Sequence, residues 1–266
     1  MKGIMAVAGY FLLHILVNLA VVAGGMAYFY FANRGLSSTE FYEGVLVFTA
    51  ENNNLLLAVT NAVILLVVFI ISRKNKTGFF AFCGLNQKLS AKGTGFMCIL
   101  AGAAANFWFS FMLNSNFMPH DLIESYAESY SLVSGGPLAI KILSMVVLAP
   151  IAEEILFRGL IYGRLGAIMP SGAAIFVQGL MFGFLHGDPV WIVYAAILGF
   201  IMGYIRHKSG SLRASVLFHI SFNAASYAFD AYADAFWEVQ WALIAALIIS
   251  AVALLFSVDR IRASKG

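Results

Sequence analysis

Apolar stretches that approach or exceed the thickness of a lipid bilayer dominate this chain. A helix needs about 20 mainly apolar residues to cross the hydrocarbon core. Such stretches lie at approximately Ile4–Phe31, Leu55–Ser72, Phe96–Leu113, Leu138–Leu165, Ser171–His186, Val190–Ile205, Ser215–Phe229 and Trp241–Ser257. The fifth to seventh are shorter than a full crossing. The sequence therefore predicts an all-α fold, a polytopic membrane bundle of eight transmembrane helices.

The composition excludes a soluble protein. Hydrophobic residues make up 61% of the chain and charged residues only 11%, whereas soluble domains carry about a quarter charged residues. The polar surface would be too small to cover a buried core of this size. We expect one integral membrane domain over residues 1–266, with the first apolar stretch retained as a span rather than cleaved as a signal peptide.

The charges between the apolar stretches alternate in sign along the chain. The first, third, fifth and seventh loops are acidic on balance, with Arg34 opposed in the first by Glu40, Glu43 and Glu51, and with Asp121, Glu124, Glu128, Asp188, Asp230, Asp234 and Glu238 in the others. The remaining loops and the tail are basic, with Arg73, Lys74, Lys76, Lys88, Lys92, Arg164, Arg206, Lys208, Arg213, Arg260, Arg262 and Lys265. By the positive-inside rule, both termini are predicted to be cytoplasmic, with the plasma membrane as the expected location.

The sequence gives no support for disulfide bonds, for a cysteine-bound zinc ion or for nucleic acid as a partner. The cysteines, Cys83 and Cys98, form neither a disulfide framework nor a zinc-type spacing, so we expect free thiols. The net charge of +3 is small and scattered, which argues against nucleic acid as a partner. The lipid bilayer and a peptide or membrane-protein substrate are the partners that we expect.

Three charged residues in the fourth stretch need an explanation. Glu153, Glu154 and Arg158 lie within an apolar helix, where one carboxylate costs at least about 2.5 kcal/mol. Glu154 and Arg158 are four residues apart and can pair on one helix face, which leaves Glu153 to face a cavity. The alternative is a structural ion pair beside one protonated glutamic acid.

Histidines supply the next indication of a polar site. His186 ends the fifth stretch, and His219 shares a helix face with Asn223 in the seventh. His14 is interpreted as a hydrogen-bonded interior residue, and His120 and His207 as loop residues. The fifth and sixth stretches each contain two glycines four residues apart, Gly179 with Gly183 and Gly199 with Gly203. This spacing predicts close helix packing around the site.

Three motifs resemble those of the CAAX protease and bacteriocin-processing family, also called the Abi family. Glu153, Glu154 and Arg158 fit its EExxxR motif, with an aromatic residue before the arginine and a glycine after it. Phe182 and His186 fit its FxxxH motif, and His219 and Asn223 its HxxxN motif. All three occur in the family order on successive helices, and the resemblance extends from about Val146 to Ala228.

The resemblance implies an eight-helix intramembrane endopeptidase similar to the Ras-converting CAAX endopeptidase, with its core in residues 137–229. It implies that Glu153 is the general base, with His186 beside it. Glu154 and Arg158 would support the site, and His219 and Asn223 would form the oxyanion pocket. A prenylated protein, a peptide pheromone, a bacteriocin leader and a membrane-protein tail are equally compatible substrates.

The residue types suit amide hydrolysis by activated water. A carboxylate can take the proton of water when its pKa lies near the working pH, and paired donors can hold the oxyanion. No serine motif such as GxSxG is present, and nothing marks either cysteine as a nucleophile. A zinc ion held by Glu153, His186 and His219 is the alternative, and we favour a metal-free site without a cofactor, as in the better-studied family members.

Two other functions stay open at this point. A non-catalytic immunity or partner-binding protein of the same family would keep the fold without the reaction. A proton-coupled transporter would use glutamate and histidine as a relay, although the polar residues crowd one half of the chain instead of both. For His186 and His219 to meet, the hairpin of residues 171–205 is expected to be shallow, tilted or displaced toward the cytoplasm.

Overall fold

The computed structural model describes residues 2–74, 78–89, 93–113, 119–232 and 240–261. Helix is the only regular secondary structure in these ranges, which confirms the all-α prediction for them. Six of the charges on which the predicted topology depends lie outside the described residues: Lys76, Lys92, Asp234, Glu238, Arg262 and Lys265.

The helices follow one another with short connections. In the first half they are α1 (Lys2–Ala32), α2 (Ser38–Arg73), α3 (Phe79–Phe82), α4 (Thr94–Leu113) and α5 (His120–Ser134). In the second half they are α6 (residues 138–165), α7 (Ser171–Phe184), α8 (Pro189–Ser209), α9 (Leu212–Tyr232) and α10 (Gln240–Arg260).

Helix α2 begins well before the predicted span. A capping box starts it, because the Ser37 hydroxyl oxygen accepts a hydrogen bond from the Glu40 amide and the Glu40 carboxylate accepts one from the Ser37 amide. Glu43 and Glu51 follow on the same helix, so the prediction that these acidic residues lie in a loop is wrong. The polar residue Asn52 does not break the helix, because its side-chain amide donates to the carbonyl of Phe48 at 2.9 Å.

Helix α6 alternates between α-helical and π-helical turns. The α-helical segments are Leu138–Lys141, Ala149–Glu154 and Tyr162–Leu165, and the π-helical segments are Ile142–Leu148 and Ile155–Ile161. Each wide turn changes which side chains share a face, and π-turns occur frequently at functional sites. The two adjacent glutamates lie at the end of the central α-helical segment, between the two π-segments.

Glycines allow α7 and α8 to pack backbone against backbone. A Cβ atom added to Gly183 would lie 2.6 Å from the carbonyl oxygen of Ile192, and one added to Gly199 would lie 2.8 Å from the Cα of Gly179. Glycine is therefore required at this crossing, as the four-residue spacing predicted. Helix α4 approaches α9 in the same way, since a Cβ on Gly102 would lie 3.0 Å from the amide nitrogen of Phe222.

Four helices among the described residues are long and apolar enough to span a membrane: α1, α2, α4 and α8. Helix α7 is also apolar, but its 14 residues extend for only about 21 Å at 1.5 Å per residue. These helices and their exposed apolar side chains indicate an integral membrane protein. The count of eight transmembrane helices is not confirmed and stays a prediction.

Candidate active site

A fully buried ion pair forms the base of the site. Arg158 Nη1 donates to Glu154 Oε1 at 2.7 Å, and both side chains are 0% exposed. This is the pairing that the four-residue spacing predicts on one helix face. The guanidinium also lies over the Phe182 ring, with Cζ 4.4 Å from the ring centroid. A buried pair of charges needs such additional partners, because desolvation offsets much of the attraction between them.

The imidazole of His219 lies between the two glutamates. Its Nδ1 is 3.1 Å from Glu154 Oε1, and its Nε2 is 3.8 Å from Glu153 Oε2. The ring is therefore held by α6 from both sides, although His219 belongs to α9. A carboxylate bonded to one ring nitrogen fixes the orientation of the ring and presents the other nitrogen to its surroundings.

Glu153 and Glu154 differ in their exposure. The Glu154 side chain is 0% exposed, whereas the Glu153 side chain is 15% exposed. Neighbouring residues on an α-helix point about 100° apart, so one carboxylate faces the interior while the other can reach a cavity. Glu153 is therefore the carboxylate that a small molecule can approach.

Phe182 links His186 to the rest of the cluster. The ring centroids of Phe182 and His186 are 4.9 Å apart, and those of Phe182 and His219 are 5.9 Å apart. His186 Nδ1 lies 2.9 Å from the carbonyl oxygen of Phe182, which leaves Nε2 for other contacts. No hydrogen bond or ion pair joins His186 to Glu153 among the residues that the structure describes.

Asn223 bonds to a π-turn of α6. Its side-chain amide nitrogen donates to the carbonyl oxygen of Met145 at 2.6 Å, and Met145 lies in the segment Ile142–Leu148. One of the two amide hydrogens is thus already engaged. The side-chain amide has a second N–H hydrogen in addition to this one.

Three residues near the site were missed or discounted by sequence reasoning. Ser215 lies on the same helix face as His219, Tyr194 lies on α8 and His14 lies on α1, and each has an electrostatic interaction with a site residue, respectively Glu154, Glu153 and His186. Ser215 precedes His219 by four residues, so their shared helix face was a signal that could have identified it. The positions of Tyr194 and His14 depend on the packing of α8 and α1, and the sequence carried no signal for them.

The described residues also enclose an apolar cavity of about 230 Å³. Residues of α4, α5 and α8 line it, and Tyr194 is among those of α8. The lining is Trp108, Phe109, Met112, Leu113, Leu122, Pro189, Val190, Val193, Tyr194 and Ile197. Such a surface suits a hydrocarbon group.

The described side chains do not fit the alternative zinc site. Among them, no three His, Cys, Asp or Glu residues are grouped as ligands of one metal ion. Both nitrogens of His219 face glutamates, and His186 is oriented by its own helix through Phe182.

Residues 135–225 match the family model of the type II CAAX prenyl endopeptidases, Rce1-like. This match confirms the resemblance to the CAAX protease family. No curated protein and no solved structure matched the chain.

The Rce1-like segment contains the whole candidate site. It begins just before α6 and ends within α9, so it includes the ion pair, both histidines and Asn223. Because the family is one of proteases, the match supports an endopeptidase in general. Helices α1 to α5 and α10 lie outside the matched segment.

Proposed function

We propose that the chain is an intramembrane endopeptidase in which Glu153 activates the attacking water. The observation that carries this proposal is the arrangement around His219, whose Nε2 lies 3.8 Å from the partly exposed Glu153 while Nδ1 is bonded to the buried Glu154. A fixed imidazole beside an accessible carboxylate is an arrangement that can bind and orient water. The Rce1-like match supports the same reaction class.

In the proposed reaction, water transfers a proton to Glu153 as its oxygen attacks the carbonyl carbon of the scissile bond. The peptide C–N bond then breaks, and Glu153 returns the proton to the leaving amine. His186 is proposed to help hold the water. This sequence balances protons without a covalent enzyme intermediate.

His219 and Asn223 are proposed to stabilise the oxyanion. Because Glu154 accepts a hydrogen bond from Nδ1 of His219, the Nε2 atom can donate only when the ring carries two protons. The second amide hydrogen of Asn223 would supply another donor, and losing one such donor typically lowers kcat by about 100-fold or more.

The proposed substrate is a peptide or membrane-protein segment with an apolar group near the cleaved bond. The cavity that Tyr194 helps to line supports this choice, because its lining is apolar. The family description points to prenylated peptides, while unmodified hydrophobic peptides would suit the same surface.

We also propose the membrane arrangement on which this function depends. The chain would place eight helices in the plasma membrane, with both termini in the cytoplasm. The short helix α7 supports a hairpin of α7 and α8 that stops below the outer surface, because about 21 Å of helix is less than the roughly 30 Å of the hydrocarbon core.

Comparative peptide profiling by mass spectrometry tests the function. Membranes from cells that express the wild type or the Glu153→Gln variant at equal levels would be compared. We expect peptides with new termini that depend on wild-type protein and persist in the presence of strong chelators. Identical profiles would overturn the proposal and favour the immunity or partner-binding alternative.

A further inference from the structure

Gln178 is a fully buried polar residue in the otherwise apolar helix α7. Its exposure is 0%, and burial of an amide in an apolar environment is unfavourable unless the group is hydrogen-bonded. Its Nε2 donates to the carbonyl of Ile175, within its own helix, at 2.9 Å and to the carbonyl of Gly199 on α8 at 2.8 Å. The second bond joins the two arms of the hairpin.

A glycine on α8 makes room for this amide. A Cβ atom added to Gly203 would lie 2.5 Å from Gln178 Nε2, so no other residue fits there unless the amide moves. Gly199, the acceptor, cannot carry a side chain either, because α7 approaches it too closely. Gly203 thus creates the space that the Gln178 amide occupies, and Gly199 allows α7 to approach closely enough for the hydrogen bond.

The carbonyl oxygen of Gly199 receives a second donor from α6. Arg158 Nη2 lies 3.5 Å from it, farther than Gln178 Nε2 at 2.8 Å. Helices α6, α7 and α8 therefore meet at one oxygen atom. The shorter bond from Gln178 fixes the position of the carbonyl against which Arg158 rests.

From Arg158 the contacts lead directly to the candidate site. Arg158 is paired with Glu154 at 2.7 Å, and Glu154 is bonded to His219 at 3.1 Å. A displacement of the Gly199 carbonyl would therefore change the position of the guanidinium, of the buried carboxylate and finally of the imidazole. Gln178 itself touches neither glutamate among the contacts described.

We infer that Gln178 is a positioning residue of the site, which holds the Gly199 carbonyl and through it the Arg158–Glu154–His219 chain. This inference rests on the proposed function, because positioning matters only where the imidazole takes part in a reaction. If Gln178 positions the site, its substitution should lower kcat and leave KM unchanged, because small displacements of catalytic groups lower the rate of the chemical step more than they lower substrate affinity.

The direct test is Gln178→Met, which keeps the approximate volume and removes the donor. In a purified-protein assay on a cleaved peptide, we expect kcat to fall by about 10- to 100-fold with KM unchanged. A wild-type kcat in Gln178→Met beside an inactive Glu153→Gln variant would overturn this inference alone. A fully active Glu153→Gln variant would instead overturn the proposed function.

A second variant displaces the amide without removing it. Gly203→Ala places a methyl group against Gln178 Nε2, so we expect a similar fall in kcat, and the Gln178→Met/Gly203→Ala double variant should lose no more than either single variant. Gly172→Ala is the control, because a Cβ there meets nothing within 4 Å. Multiplicative losses in the double variant, or a fall in melting temperature with unchanged kcat, would contradict positioning through this bond.

Discussion

His219 Nδ1 lies 3.1 Å from Glu154 Oε1, and this contact joins α9 to the buried ion pair of α6. Glu154 therefore has two partners, the guanidinium and the imidazole, and is itself removed from contact with solvent. The adjacent Glu153 keeps partial exposure. Two neighbouring carboxylates in the sequence thus have different environments, and substitutions should separate their roles.

Glu154→Gln should destabilise the protein much more than Glu153→Gln. The first substitution leaves Arg158 as a buried charge without its counterion, which typically costs about 3–5 kcal/mol. The second removes a partly exposed group whose only ion-pair contact, among those described, is at 3.8 Å. Melting temperatures of both purified variants test this difference, and equal losses would contradict the assigned environments.

Asn223→Leu should weaken the fold as well as any reaction. It removes the bond to the Met145 carbonyl and leaves an unpaired acceptor in a π-turn, at a cost of about 1–3 kcal/mol. Thermal unfolding in detergent measures this effect. A variant as stable as the wild type would show that the bond to α6 contributes nothing.

Close packing explains why a glycine, Gly159, follows Arg158 in the EExxxRG pattern. A Cβ atom on Gly159 would lie 2.6 Å from the carbonyl oxygen of Cys83, so Gly159→Ala should destabilise the protein by about 1–3 kcal/mol through overpacking. Gly163→Ala is the matched control on the same helix, because a Cβ there meets nothing within 4 Å. Equal melting temperatures for the two variants would argue against the contact between Gly159 of α6 and the Cys83 carbonyl.

Cys83 should resist alkylation in the folded protein. Its side chain is fully buried next to α3, and burial raises the pKa of this thiol to about 11, so little reactive thiolate is present at pH 8. In a Cys98→Ala background, maleimide should label Cys83 only after denaturation. Lys74→Cys provides an exposed control, and rapid labelling of folded Cys83 at the control rate would refute its burial.

Apolar length and helical spacing predicted the helical elements and part of the site. Each predicted span overlaps an observed helix, and the spacing of Glu154 and Arg158 was sufficient to predict their pairing. The four-residue glycine spacing likewise predicted the close contact of α7 and α8. These features depend on periodicity along one or two helices, which a single sequence displays directly.

The remaining features depend on the tertiary structure. No residue pattern marked the π-turns of α6, so the bond from Asn223 to Met145 could not be foreseen. The loop expected around Glu43 is helical because a local cap outweighed the polar composition. His219 was expected to act on a substrate, and its bond to Glu154 became visible only when α6 and α9 were placed together.

The kcat of purified Glu153→Gln tests the central claim most directly. If Glu153 removes the proton from water, peptide cleavage should fall by about 100- to 10,000-fold, the usual contribution of a general base, while the melting temperature stays near that of the wild type. Cleavage within a few-fold of the wild-type rate by this folded variant would contradict the account.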